Sequence, residues 1–159
     1  MPVYMQFPGA TGAVTAQGFE GWIELSSISF GMDRPMDSQL GTGQYGATGK
    51  LKIHPITITK STDGSSPTLA IAALQGAFNQ TVQIAFTTTT RQGMVNFMSY
   101  QLQECGIASA HSQGTDQGLP VETYALQFSQ IQLTYNNLGT DGTGQPTITG
   151  YNLTTAQSL

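Results

Sequence analysis

Apolar and polar residues alternate along most of this chain. The alternation runs through VYMQF (3–7), FEGWIELSSISFGM (19–32), LKIHPITIT (51–59) and TVQIAFTTT (81–89). It continues through VNFMSYQLQECGI (95–107), VETYALQFSQIQLTY (121–135) and the shorter PTITGYNL (146–153). A period of two with many β-branched and aromatic side chains predicts strands. Four of these segments change phase midway. Ile23 and Leu25 are followed by Ile28, Phe30 and Met32; Leu51 and Ile53 by Ile56 and Ile58, across His54-Pro55. Phe97 gives way to Met98, Tyr100 and Leu102, while Tyr124, Leu126 and Phe128 give way to Ile131, Leu133 and Tyr135. A one-residue slip turns every later side chain to the other face, which a long strand achieves at a bulge or corner. The pattern therefore predicts a mainly β chain: a β-barrel of two roughly orthogonal antiparallel sheets.

One stretch departs from this period. Ser66 suits an N-cap and Pro67 the first helical position, where a missing N–H costs nothing. In the following LAIAALQGAF, Ala70, Ala73, Leu74, Ala77 and Phe78 form an apolar stripe at helical spacing. The expectation is one helix over 67–78, docked on the barrel. Residues 33–49, 109–120 and 136–145 read as irregular. The first is a long extended loop, of a length that in compact domains commonly serves a function. No repeat or linker interrupts the chain, and 159 residues suit one domain over 1–159.

Composition narrows the function classes. Charged residues make up 9% of the chain, against roughly 25% in an average soluble protein. A polar, weakly charged surface of this kind resists association poorly, and depletion of charge also marks protein–protein interfaces. Net charge is −4, and no lysine or arginine follows Arg91. Without a basic face to neutralise phosphates, nucleic acid is not an expected partner. The opening MPVYMQFPGATG has no basic and apolar leader pattern, so no cleavable signal peptide is expected. No apolar run approaches the ~18 residues of a spanning helix. The single Cys105 has no internal partner, in keeping with synthesis in a reducing cytosol.

Candidate chemistry is sparse. GTGQYGATGK (41–50) places Gly41, Gly43 and Gly46 at the G-x-G-x-x-G spacing. A dinucleotide loop must open a helix directly, yet LKIHPITIT follows, with strand chemistry. A P-loop fails as well, because Gln44 stands where a glycine is needed and Leu51 where a Mg-binding hydroxyl is needed. His54 and His111 are 57 positions apart, and one cysteine cannot complete a zinc site with them. Cys105 late in a strand reads as a small buried hydrophobe rather than a nucleophile. Asp63-Gly64 and Asp141-Gly142 read as turns, lacking the oxygen series of a calcium loop. Trp22, between Glu20 and Glu24, is either a packing residue or a sugar-stacking platform. No cofactor, no metal and no enzymatic activity are expected.

Three blocks carry a family resemblance: GFEGWIEL (18–25), HPITITKSTDGSSPTLAIAALQG (54–76) and YALQFSQIQLTY (124–135). With the opening VYMQFPGATG they are similar to the hemolysin-coregulated proteins, the tube subunits of bacterial type VI secretion systems. ITITKSTDGSSPTL is the most specific block. The resemblance implies a β-barrel flanked by one helix and a homo-hexameric ring that stacks with other rings into a tube. It implies that a contractile sheath ejects the tube with its spike protein, and that the ring carries or shelters effector proteins. It also implies a cytoplasmic subunit secreted without a cleaved leader, no fused toxin domain, and kinship with phage tail tubes. In that family an extension before the third strand block reaches neighbouring subunits or the next ring. Here it falls on residues 33–49, with Gln39, Leu40, Gly41, Gly43, Gln44, Tyr45 and Gly46 as the candidate stacking loop. A phage-like tail tube protein and a small carbohydrate- or ligand-binding β-barrel are the alternatives.

Overall fold

The computed structural model describes residues 1–34, 51–137 and 145–159, together with two short strand backbones at 36–38 and 45–47. The first half of the chain contains β1 (Val3–Gln6), β2 (Ile23–Leu25), β3 (Ser27–Ser29), β4 (Met32–Asp33), β5 (Met36–Ser38), β6 (Tyr45–Ala47), β7 (Lys52–Ile53) and β8 (Ile56–Ser61). Then come α1 (Ser66–Gln75), β9 (Gln80–Thr90), β10 (Gly93–Gln113), β11 (Val121–Gln127), β12 (Gln130–Tyr135), β13 (Thr147–Asn152) and β14 (Gln157–Ser158). The chain is mainly β with one helix, as the alternation predicts.

All four predicted phase changes are backbone breaks. Ser26 separates β2 from β3, and His54-Pro55 separates β7 from β8. The β9–β10 register slips between Asn96 and Met98, passing over Phe97. Phe128 and Ser129 separate β11 from β12.

The 21-residue β10 organises the sheet. Its first part pairs with β9 on one edge and with β12 on the other; from Gly106 onward it pairs with β11. β9 continues to β1 and β2, β11 to β8 and β3, and β12 to β13 and β14. The expected barrel is not closed by a continuous ladder. β2 pairs with β1 and β3 with β8, so at the seam away from β10 the described residues join the two portions through Ser26, whose N–H donates to Thr59 O at 2.7 Å. Two three-residue strands on either side of a corner are too short to complete the ring of pairings. Met5, Ile23, Ile56, Ile58, Val82, Ile84, Leu102, Cys105 and Leu126 are fully buried between the two portions.

β10 also runs further than the alternation does, so residues 109–113 are strand rather than irregular. SAHSQ has no apolar face of its own and is held by ladder pairs from Ser109↔Ala125 to Gln113↔Val121. Residues 33–49 are not a plain loop either. β4 pairs with β7, and β5 with β6, and these short antiparallel ladders are the described part of this excursion, called the ribbon below.

The helix is shorter than expected and starts one residue earlier. Ser65 is the capping residue, and Gly76 ends the helix at φ 67°, with its N–H donating to Ala72 O. That left-handed turn suits glycine. The packed face also differs from the expected stripe. Ala73 of that stripe does pack against the core, but its companions are the buried Leu69 and Ala72, whereas Leu74 is 82% exposed. Past the helix, Ala77 and Phe78 lie on β10 at Gly106, where a Cβ would stand 2.5 Å from both Ala77 O and the Phe78 ring.

Gly106→Ala forces that contact apart, so about 1–3 kcal/mol of stability should be lost. Urea unfolding followed by circular dichroism measures it, and an unchanged midpoint would show that the helix end yields freely.

Candidate assembly surface

The ribbon leaves the body at an anchored root. Phe30 packs edge-to-face on Tyr100 with ring centroids 6.0 Å apart, and lies 6.2 Å from the ring of Phe128. His54 N–H donates to Gly31 O at 3.0 Å, and His54 Nε2 lies 2.5 Å from Asp33 Oδ2. The expectation of a structural His54 holds: its partner is a carboxylate across the ribbon, itself exposed. Of the predicted stacking residues, Tyr45 and Gly46 fall in β6, opposite Ser38 and Asp37. Gln39, Leu40, Gly41, Gly43 and Gln44 lie outside the described residues, as does Asp141-Gly142. A strand, β7, follows the glycine-rich stretch, as expected for a chain without a phosphate loop.

Apolar side chains stay exposed in several places. Ile71 and Leu74 project from α1, and Leu119 and Val121 from the start of β11. Near the ribbon root, Met32 and Tyr135 are exposed, while Ile148, paired with Thr134, and Leu159, packed over Gly150, are exposed on the opposite face of the sheet. At the root a groove of about 230 Å³ is lined by Phe30, Met32, Leu51, Ile53, Leu133 and Tyr151. Each residue alone is unremarkable on a soluble surface, but clusters mark places where another surface fits.

The sequence block KSTDGSSP builds a buried polar cluster that composition and motif reasoning missed. Lys60 is wholly buried, with Nζ 2.9 Å from Asp63 Oδ1, 3.4 Å from Glu122 Oε2 and 3.0 Å from Ser66 Oγ. Ser66 Oγ donates to Glu122 Oε2 at 2.6 Å, and Tyr124 donates its hydroxyl to Glu122 Oε1. Asp63 Oδ1 accepts from Ser65 N at 2.9 Å and from the Ser65 hydroxyl. Asp63 therefore does form a turn, as expected, but it also neutralises a lysine. The cluster ties β8, β11 and the start of α1 together. Parity was the available signal. Lys60 follows Ile56 and Ile58 on the inward face of β8, and Glu122 precedes Tyr124 and Leu126 on that of β11.

Burial alone would raise both carboxyls. For Glu122, hydroxyl donors from Ser66, Tyr124 and Thr62, with the Lys60 charge, outweigh it and hold the group below its ordinary range. Ser65 and Lys60 do the same for Asp63. The Tyr124 hydroxyl is pushed up by burial and by the adjacent Glu122.

Cys105 is fully buried, and burial pushes its thiol up to about 12. His111 is exposed on β10, where it borders a cleft of about 550 Å³ with Asp63, Ser66 and Glu122. Among the described residues no group of three or more His, Cys, Asp and Glu side chains could hold a metal ion. Nor is any described helix long and apolar enough to cross a membrane.

Lys60→Ala strands two carboxylates and should cost about 3–5 kcal/mol, much of it recovered by a Lys60→Met, Glu122→Leu pair of similar volume. Denaturant unfolding of the three proteins tests this. Because both carboxyls are depressed, their contribution is full above the ordinary values of 4.5 for Glu122 and 3.8 for Asp63, and lost as pH falls through the folded-state values. Glu122→Gln should therefore flatten the acid limb of the stability–pH curve. Cys105 should resist maleimide in the native protein near about pH 8 and react once it unfolds.

No curated protein matches the chain by sequence. The fold is similar over its whole length to solved structures of secretion proteins. One described as a type six secretion system protein has a TM-score of 0.87 at 23% identity, covering 99% of each chain. Hcp1 from Salmonella typhimurium has a TM-score of 0.77 at 16% identity, covering 99% of this chain and 98% of its own. An Hcp1 from E. coli EAEC 042 has a TM-score of 0.76 at 24% identity, covering 96% of this chain and 99% of its own. The sequence model of the type VI secretion system effector Hcp matches residues 4–135, and the chain belongs to the Hcp family of the type VI secretion system.

Proposed function

We propose that the chain is the structural repeat of a secretion tube: six copies close into a ring, and rings stack end to end. A contractile sheath ejects the tube with its spike, and effector proteins travel with it. The family match over residues 4–135 carries this reading. Three physical features support it. Charge is scarce on the whole chain, so little electrostatic repulsion opposes packing of like subunits. Exposed apolar side chains stand on α1 and around the ribbon root. The end strands of the pairing path, β3 (SIS) and β14 (QS), carry none of the lysines or prolines that guard free edges. A ring uses the same heterologous contact repeated by rotation, and such a contact needs two different patches on each subunit.

Residues 39–46 are assigned the stacking contact, and no catalytic step enters the function. The subunit assembles in the cytoplasm and leaves through the machine rather than through a cleaved leader.

Native mass spectrometry of the purified protein should show a hexamer, and monomer alone at micromolar concentration would overturn the proposal. Shortening residues 39–47 should leave unfolding cooperative, since surface loops tolerate length changes. It should reduce stacked tubes in electron micrographs and secretion in cells. Tubes of wild-type length and number would remove the stacking role from this segment.

A further inference from the structure

The sheet face turned away from the core carries an unusual row. Gln6 on β1 pairs with Gln83 on β9, Gln83 with Gln101 on β10, Gln101 with Gln132 on β12, and Gln132 with Gly150 on β13. Four carboxamides thus stand side by side across four strands. The next row on that face reads Ala85, Ser99 and Thr134 in register. At the junction of the two rows lies a cavity of about 130 Å³ lined by Trp22, Gln83, Asn96, Ser99, Gln101 and Thr134. That is room for about four waters. No Asp, Glu, Lys or Arg lines it. Trp22 is held beside it by an edge contact with Phe19, which in turn packs on Tyr4. Asn96 Oδ1, on a lining residue, is buried and finds no hydrogen-bond partner among the described residues.

We infer that this cavity binds one unit of an uncharged saccharide. Carboxamides and hydroxyls place donors and acceptors next to each other without net charge, which matches adjacent sugar hydroxyls. An ionic ligand would be desolvated with no counter-charge to meet it. An apolar ligand would leave the amides unpaired. A peptide strand would seek a sheet edge, whereas this cavity lies in the middle of a face. The indole supplies the apolar wall that the C–H side of a sugar ring packs on. The cavity is lined by one subunit alone, and its ligand would add a binding role to the structural one.

Trp22 is the chain's single tryptophan, so its fluorescence reports on this cavity. The full-length protein is titrated with maltotriose, cellotriose and N-acetylated chitotriose, with trigalacturonate as the charged control. At least one neutral trisaccharide should shift the emission with a Kd of about 1 mM or tighter, and trigalacturonate should not. Thr134→Val keeps shape and strand preference while removing a hydroxyl, and Gln101→Leu removes an amide. Each, with an unchanged circular dichroism spectrum, should weaken binding about tenfold. Saturation-transfer NMR on the wild type confirms contact. Failure of all three neutral sugars, equal binding of trigalacturonate, or unchanged affinity in a folded Thr134→Val variant would each overturn the inference.

Discussion

The bend in β10 is the constraint on which the other elements depend. A strand of 21 residues cannot serve two portions of a sheet unless it changes direction. It does so where the β9 register slips between Leu102 and Cys105, with Glu104 at φ 50°. A non-glycine residue in that region is uncommon and needs support from its surroundings. The partner strand provides it at the facing break. Ser129 N donates to Gln103 O at 3.1 Å, and its hydroxyl donates to Glu104 Oε2 at 2.5 Å. Because β10 and the β11–β12 segment facing it break at the same level, the ladder resumes at Gly106↔Gln127 with its inward and outward faces exchanged. Cys105 and Ile107 then join Leu102 in the core, and the absence of a side chain at Gly106 leaves space for the segment after the helix.

At the far end of β10 a different kind of interaction closes the fold. Lys60, Asp63 and Glu122 come from β8, the turn before α1, and β11, and none is far from complete burial except Asp63. Such a cluster is not an obvious gain in stability, because desolvating the ions offsets their attraction. Its value is directional. A hydrophobic patch would let the helix start slide, whereas the bonds from Ser66 to Glu122 and from Asp63 N–H to Ser66 Oγ set its position. Leu69 then meets the core one turn later, and Leu74 is left facing outward. The exposed apolar face of α1 is thus a consequence of the polar anchor.

Much of the fold could be read from phase alone. The breaks at Ser26, His54-Pro55, Phe97 and Phe128 follow from side chains that must keep facing one core on both sides of a corner. What could not be read was decided by partners distant in sequence. SAHSQ is strand because β11 pairs with it, and the stripe through Leu74 misled because Leu69 and Ala72, beside Ala73, are the residues turned to the core. The barrel remained open because β2 and β3 are each only three residues long. Of the candidate surface, His54 was recognisable as structural from its place before Pro55, but Asp33 could be found only once β4 and β7 were paired. Lys60 was overlooked because a lone lysine between a threonine and a serine looks like solvated surface, although its parity with Ile58 pointed inward.

A chain this poor in charge has to recognise its neighbours without electrostatic help. Long-range steering accelerates encounter only where fields of opposite sign exist, and the basic residues here are few, with Lys60 buried and neutralised. Specificity then falls to shape and short-range hydrogen bonds, which demand that the contacting groups be held still before contact. The anchored ribbon root meets that demand: Phe30 is locked against Tyr100, and His54 is tied by its N–H to Gly31 and by its ring to Asp33. Rigid backbone pairing substitutes for charge, and this makes low charge compatible with selective assembly.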